Sequence, residues 1–203
     1  KIVLKVPVDR GSACCHSGGS IEFDGQGNLL VSLGDNTNPF ASEGFSPVDE
    51  SKGRKTFDAQ RSSANTNDLR GKILRIHPEA DGSYSIPKGN LFAPGTENTR
   101  PEIYVMGNRN PFRISIDSHT GYLYWGEVGP DSGTDNENYG PRGHDEINQA
   151  RGPGNFGWPH FAGNNKAYKK YDFVNKSFGK AFNDPLNPVN TSPNSSGMQD
   201  LPP

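Results

Sequence analysis

The stretch ACCHSGGSIEFDGQGNLLVSLGD, residues 13–35, carries two apolar runs around a glycine-rich turn. Ile21 and Phe23 alternate with polar neighbours, DGQGN turns the chain, and Leu29, Val31 and Leu33 alternate back. Successive side chains of a strand point to opposite faces, so period-two alternation across an Asp/Gly turn specifies a β-hairpin. Two further stretches share the plan. KILRIHPEADGSYSI has Leu74 and Ile76 before its turn and Tyr84 and Ile86 after it. FRISIDSHTGYLYWGEVG has Ile114 and Ile116, then Tyr122, Tyr124 and Gly126. Counted from Ile21, Leu74 and Ile114, the starts fall 53 and 40 residues apart. Hairpins recurring at roughly 40–50 residues suggest the blades of a β-propeller; a sandwich with Greek-key links is the alternative. The opening KIVLKVPVD reads as another strand, and no segment has a convincing helical pattern.

Composition supports an all-β chain. Of 203 residues only 31% are hydrophobic, while 25 are glycine and 17 proline, a mix suited to short strands and tight turns. The net charge of −2 leaves no nucleic-acid footprint, and no apolar run approaches the roughly 18 residues of a membrane span. The chain opens on a strand-like segment without an initiator Met and is read as a mature chain or a piece of a longer one. The only cysteines, Cys14 and Cys15, are adjacent. Neighbouring Cα atoms sit about 3.8 Å apart, whereas disulfides favour about 4.4–6.8 Å. Two small thiols are the default expectation, with a redox-active pair as the alternative. CCH lacks the spacer of a C-x-x-C-H haem signature.

Between the hairpins, residues 36–68 read as a long polar surface insertion and residues 131–144 as a second loop. A propeller-like unit is assigned to residues 1–171. Residues 172–203, rich in Asn, Pro and Ser, read as a linker, an irregular wrap or a tail, with glycosylation sequons at Asn175, Asn190 and Asn194.

Paired positions of an antiparallel hairpin have a constant index sum. With the first turn near residue 26 the sum is about 52, which sets residue 16 opposite residue 36, beside Asp35. His16 and Asp35 therefore leave the same end of one hairpin. A carboxylate beside an imidazole fixes its tautomer and stabilises its protonated form, as a general base requires; a polar turn end with His16 on backbone is the other reading. In the third hairpin the sum is about 238, so Arg109 faces Gly129. Arg109 offers a planar cationic fork for an oxyanion or serves a structural ion pair. Asn110 adds an amide, and Gly129 and Pro130 can present carbonyls to a hard cation. Asp131, Asp135, Glu137, Asp145 and Glu146 form an acidic cluster without EF-hand spacing, either a solvated face or part of a calcium site. His77, His119, His144 and His160 lack metal-ligand spacing and default to surface or turn positions.

CHSGGSIEFDGQGNLLVSLGD, LRGKILRI, GNRNPFRISID, GEVGP, HDEIN and GNFGWPHFAG occur in that order over residues 11–168. As a set they resemble the soluble glucose dehydrogenase / sorbosone dehydrogenase family, which uses pyrroloquinoline quinone. The adjacent-cysteine version resembles secreted bacterial multidomain members. The resemblance implies a six-bladed β-propeller, of which about half the blades are visible, and oxidation of an aldose or related sugar. His16 would be the general base, Asp35 its partner and Arg109 the cation beside the reactive carbonyl. Asn110 would contact the cofactor. The carbonyls of Gly129 and Pro130 would hold the cofactor's Ca2+. Glu146, with the backbone of Phe156 and Ala162 and with Asn164, would form a second calcium site. Cys15 stands where well-known members carry an acidic residue, the loop before DEIN is longer, and the basic residues of later blades have no match. The implied partners are a sugar substrate, an external electron acceptor such as a cytochrome, and the rest of the propeller from the same longer chain or another one. The implied location is periplasmic or extracellular. The alternative function is a non-catalytic, calcium-stabilised propeller module that binds a glycan or a protein.

Overall fold

A computed structural model describes residues 1–9, 11 and 14–203. Among them the only helical elements are two 3-10 turns, Lys55–Phe57 and Ala59–Arg61. The strands are β1 (Ile21–Phe23), β2 (Leu29–Leu33), β3 (Lys72–Pro78), β4 (Tyr84–Ser85), β5 (Ile103–Met106), β6 (Pro111–Ile116) and β7 (Leu123–Glu127). They continue as β8 (Glu146–Ala150), β9 (Gly154–Asn155), β10 (Phe161–Ala162), β11 (Lys166–Ala167), β12 (Lys169–Asp172) and β13 (Ser177–Ala181). The main sheet runs β1-β2-β3-β5-β9, antiparallel except for β5-β9, with β4 beside β3. A second antiparallel sheet runs β6-β7-β8, and two small hairpins, β10-β11 and β12-β13, complete the set.

All three expected hairpins form. The first pairs Ile21 with Val31 and Phe23 with Leu29, the expected register. The third pairs Pro111 with Glu127 and then slips by one residue at an irregularity before Arg113. The first two hairpins do not make separate blades, because β2 pairs along its whole length with β3. The sheets do not close into a ring. No strand forms at residues 1–9. Leu4 and Val6 pack against the core there, but no neighbouring strand lines up to pair with the backbone.

Alternation located the strands but not their buried faces. In β2 the buried positions are Leu30 and Ser32, while Leu29, Val31 and Leu33 are half-buried on the other face. In β7 they are Leu123, Trp125 and Glu127 rather than Tyr122, Tyr124 and Gly126. The inner strands β3 and β5 are covered on both faces, so both parities carry apolar residues, whereas Ile21 and Phe23 of β1 stay exposed. Leu30, Ile73 and Val105 pack against Ile114, Leu123, Trp125 and Ala150 of the second sheet. Leu74, Ile103 and Met106 face Leu69, Phe92 and Leu201 on the opposite side. Each such aliphatic side chain contributes about 1.5–3 kcal/mol of burial.

Residues 36–68 are not a surface insertion. Asn36, Thr37, Asp49, Asp58, Gln60, Arg61, Ser62, Ser63, Asn65 and Thr66 are all buried. Burial of so polar a segment is tolerable only when its groups are paired. The Asp58 carboxylate accepts from Gln60 N, Gln60 Nε2, Ser192 Oγ and Asn194 Nδ2. That contact also draws in the C-terminal residues: Asn190 donates to Gln60 O and Ala64 O, and Leu201 enters the core. Residues 182–201 thus wrap back over the chain, and the β12-β13 hairpin spans position 171. Of the three sequons, Asn190 is buried and Asn194 holds Asp58, whereas Asn175 sits exposed in the β12-β13 turn. Cys14 and Cys15 are joined by a disulfide and are not free thiols.

Candidate active site

β2 ends at Leu33 and delivers Asp35, β6 begins just after Arg109 and Asn110, and β7 ends in Glu127 just before Gly129. Two strand ends and one strand start therefore lie together. Asp35 N donates to Arg109 O (2.8 Å), Gly18 N to Asn110 Oδ1 (3.0 Å) and Val128 N to Asn110 O (3.2 Å). Gly34 lies so close beneath His16 that a Cβ there would stand 1.9 Å from the His16 carbonyl oxygen.

His16 and Asp35 meet, as the hairpin spacing permits. The His16 Nδ1 to Asp35 Oδ1 distance is 2.7 Å, and the residues are 9% and 0% exposed. Asp35 also accepts from Thr37 N on Oδ1 (2.9 Å) and from Trp158 Nε1 on Oδ2 (2.9 Å). Three donors hold this carboxylate in one orientation. With Nδ1 committed to Asp35, Nε2 is the imidazole nitrogen left for proton transfer. Trp158 then links the pair to Arg109, whose guanidinium carbon lies 5.9 Å from the Trp158 ring centre.

Arg109 is buried, gives Nη1 to Val128 O (3.1 Å) and keeps a buried Nε without a protein acceptor. Its backbone is fixed by Glu127, whose Oε1 accepts from Arg109 N (2.8 Å) and Asn110 N (2.5 Å) and whose Oε2 accepts from Trp125 Nε1 (3.1 Å). Burial pushes the Glu127 carboxyl up to about 8, against three N–H donors that favour its anion. Behind these segments lies the fully buried Lys72, whose ammonium donates to Ser62 O, Ser63 O and Arg70 O at 2.6, 3.0 and 2.9 Å. Burial pushes Lys72 down to about 7. The loop it gathers supports the site directly: Ser63 Oγ donates to Asn108 O (2.6 Å), and Arg61 Nη2 to Asn36 O (2.7 Å).

A small cavity of about 20 Å³ adjoins Arg109 and is lined by Gly129, Pro130, Glu146, Phe156 and Ala162, among others. That is room for about one water-sized guest. Asn108 Oδ1 and Nδ2 and His144 Nε2, on residues lining it, are buried without protein partners. An amide oxygen, a carboxylate and nearby carbonyls are the donors a hard cation takes. The Pro130 carbonyl is packed against Gly143, where a Cβ would fall 1.6 Å from its oxygen. Glu146 Oε1 accepts from Gly163 N and Oε2 from Asn148 Nδ2. Asn164 is exposed and does not line the cavity. Asp131, Asp135, Glu137 and Asp145 are exposed, and among the described residues no three His, Cys, Asp or Glu side chains cluster as metal ligands.

Sequence reasoning missed Trp158, Glu127 and Asn108 as parts of the site, although GNFGWPHFAG, GEVGP and GNRNP contain them. It also misplaced His160, which is 1% exposed and stacked on Phe182, and which burial lowers to about 3.

An all-β scaffold thus gathers a buried His–Asp pair, a fixed arginine and an oxygen-rich cavity at one group of strand ends. The chain belongs to the glucose / sorbosone dehydrogenase family, whose model matches residues 7–201. It is 30% identical over 145 residues to the aldose sugar dehydrogenase YliI of Escherichia coli, covering 71% of this chain and 29% of that protein. It is 38% identical over 93 residues to quinoprotein glucose dehydrogenase B of Acinetobacter calcoaceticus, covering 46% of this chain and 16% of that protein. A solved structure described as a putative oxidoreductase (glucose dehydrogenase), from Thermus thermophilus, superposes with a TM-score of 0.52 at 30% identity, covering 79% of this chain and 38% of that one. The chain thus spans well under half the length of each. Among the described residues no helix is long and apolar enough to cross a membrane.

Proposed function

We propose that this chain carries the reactive centre of a quinone-dependent dehydrogenase that oxidises an aldose or a related sugar at its anomeric carbon. The buried His16–Asp35 pair, linked through Trp158 to Arg109, carries the reading. His16 Nε2 takes the proton of the sugar's anomeric hydroxyl, and the Asp35 carboxylate at Nδ1 stabilises the imidazolium that forms. Arg109 supplies a fixed positive charge where negative charge develops. Its partnerless Nε is consistent with an electron-rich guest, and Asn110 stands beside it. The cavity bounded by Gly129, Pro130, Glu146, Phe156 and Ala162, with the free Asn108 oxygen, fits a single calcium ion. Pyrroloquinoline quinone, when bound, supplies the two-electron acceptor for the hydride that leaves the sugar's C1, and Ca2+ supplies the charge that polarises it.

The two larger sheets are taken as blades of a six-bladed propeller whose remainder lies outside these 203 residues, and reoxidation falls to an external acceptor such as a cytochrome. A periplasmic or extracellular setting is part of the same reading.

A steady-state assay with the quinone, calcium, an artificial acceptor and a panel of aldoses tests this reading. Turnover with aldoses is expected. Arg109→Lys is expected to lose about tenfold or more of it, because an ammonium cannot reproduce the planar fork held by Val128 O. Absence of turnover with every aldose, or an unaltered Arg109→Lys rate, would contradict the proposal.

A further inference from the structure

A cleft of about 690 Å³ shares no lining residue with the small cavity at the candidate active site. Its volume is in the range of about 300–1,000 Å³ typical of small-molecule sites. Five cationic side chains line it: Lys5, Lys55, Arg61, Arg70 and Arg100. This concentration of positive charge stands out in a chain whose net charge is −2.

Two of the five are already neutralised. Arg70 forms a two-pronged pair with Asp68, Nη2 to Oδ2 at 2.6 Å and Nε to Oδ1 at 3.0 Å. Arg100 pairs with Glu102 at 2.8 Å. Asp9 also lines the cleft. Among the described residues, the carboxylates acting on these cations are Asp9, Asp68, Glu102 and, on Arg61 and Arg70, the buried Asp35. Arg61 is 7% exposed, gives Nη2 to Asn36 O and has a buried Nε with no partner. Burial, and after it the Arg70 charge, disfavour its cation, while the Asp68, Asp35 and Asp9 carboxylates favour it. Lys5 and Lys55 are exposed at the rim, and their ammonium groups meet no acceptor among the described residues. Val6, Pro7, Val8 and Leu69 give the cleft apolar wall as well.

We propose that this cleft binds a small organic polyanion bearing at least two phosphate or carboxylate groups, with Arg61 at its base and Lys5 and Lys55 at its rim. Planar guanidinium and mobile ammonium groups together suit such oxyanions. The apolar wall suits the carbon frame between them.

Calorimetric titration in low-salt buffer with pyrophosphate and, separately, citrate tests the site. Saturable binding of at least one of them, at one per chain, is expected. Pyrophosphate alone would mark the natural guest as a phosphate compound and citrate alone as a carboxylate; both would mark the shared charge pattern. The double variant Lys5→Glu/Lys55→Glu keeps the fold, since both side chains are exposed. It is expected to weaken binding about 100-fold, roughly tenfold for each charge-assisted hydrogen bond removed. Lys176→Glu/Lys180→Glu, the same charge change on the exposed β12-β13 hairpin, is expected to leave affinity within about twofold. No saturable binding of either probe by the natural chain, or equal weakening by the two double variants, would overturn the proposal.

Discussion

His16→Ala is expected to lower the turnover of aldose oxidation by about 10²–10⁴-fold, the usual contribution of a positioned general base, while leaving affinity for the quinone nearly unchanged. The asymmetry follows from the site's wiring. His16 contributes one side-chain bond, to an Asp35 that keeps its bonds to Thr37 N and Trp158 Nε1. Arg109, Asn110 and the carbonyls beside them are held by Glu127 and Val128, not by the imidazole. Proton removal is therefore lost and the cofactor side of the site stays built. Steady-state kinetics paired with a binding titration separate the two quantities. Parallel loss of both would make His16 a structural residue.

The second large effect is expected at a residue with no side chain. Gly34→Ala would place a Cβ 1.9 Å from the His16 carbonyl oxygen and 2.9 Å from Asn110 Oδ1. The first neighbour is backbone and cannot rotate away, so residues 16 and 34 must part. Overpacking of this kind costs about 1–3 kcal/mol or more, and here the displacement falls on the segment that aims His16 at Asp35. Denaturant unfolding is expected to show that loss, with activity falling further than stability. Gly25→Ala is the control, because its Cβ would meet nothing within 4 Å. That variant is expected to stay within about 0.5 kcal/mol of the natural chain. Equal stability of the two variants would mean that the close approach of residues 16 and 34 is not part of the fold.

Hairpin register was legible because a tight turn fixes which residues pair, and the meeting of His16 with Asp35 followed from counting away from that turn. The buried faces were not legible. A strand covered on both sides, such as β3 with Ile73 on one core and Leu74 on the other, has no parity to read. Residues 36–68 misled for a different reason. Their composition is that of a surface loop, but Asp58, Arg61 and Ser63 find partners at Ser192, Asn36 and Asn108, and nothing local announces those partners. Trp158 is the same case within the site: it reaches Asp35 across 123 positions of sequence. Arg109, Gly129, Phe156 and Ala162, which lie far apart in the sequence, line one small cavity.

Whether His16, Asp35 and Arg109 serve a calcium-bound quinone is decided by one titration. The longest natural polypeptide containing residues 1–203 is titrated with pyrroloquinoline quinone, with and without calcium, and the quinone absorbance is followed before and after addition of an aldose. Calcium-dependent saturation followed by sugar-driven bleaching is expected. Failure to bind the quinone in the presence of calcium, or binding that no aldose bleaches, would contradict that assignment.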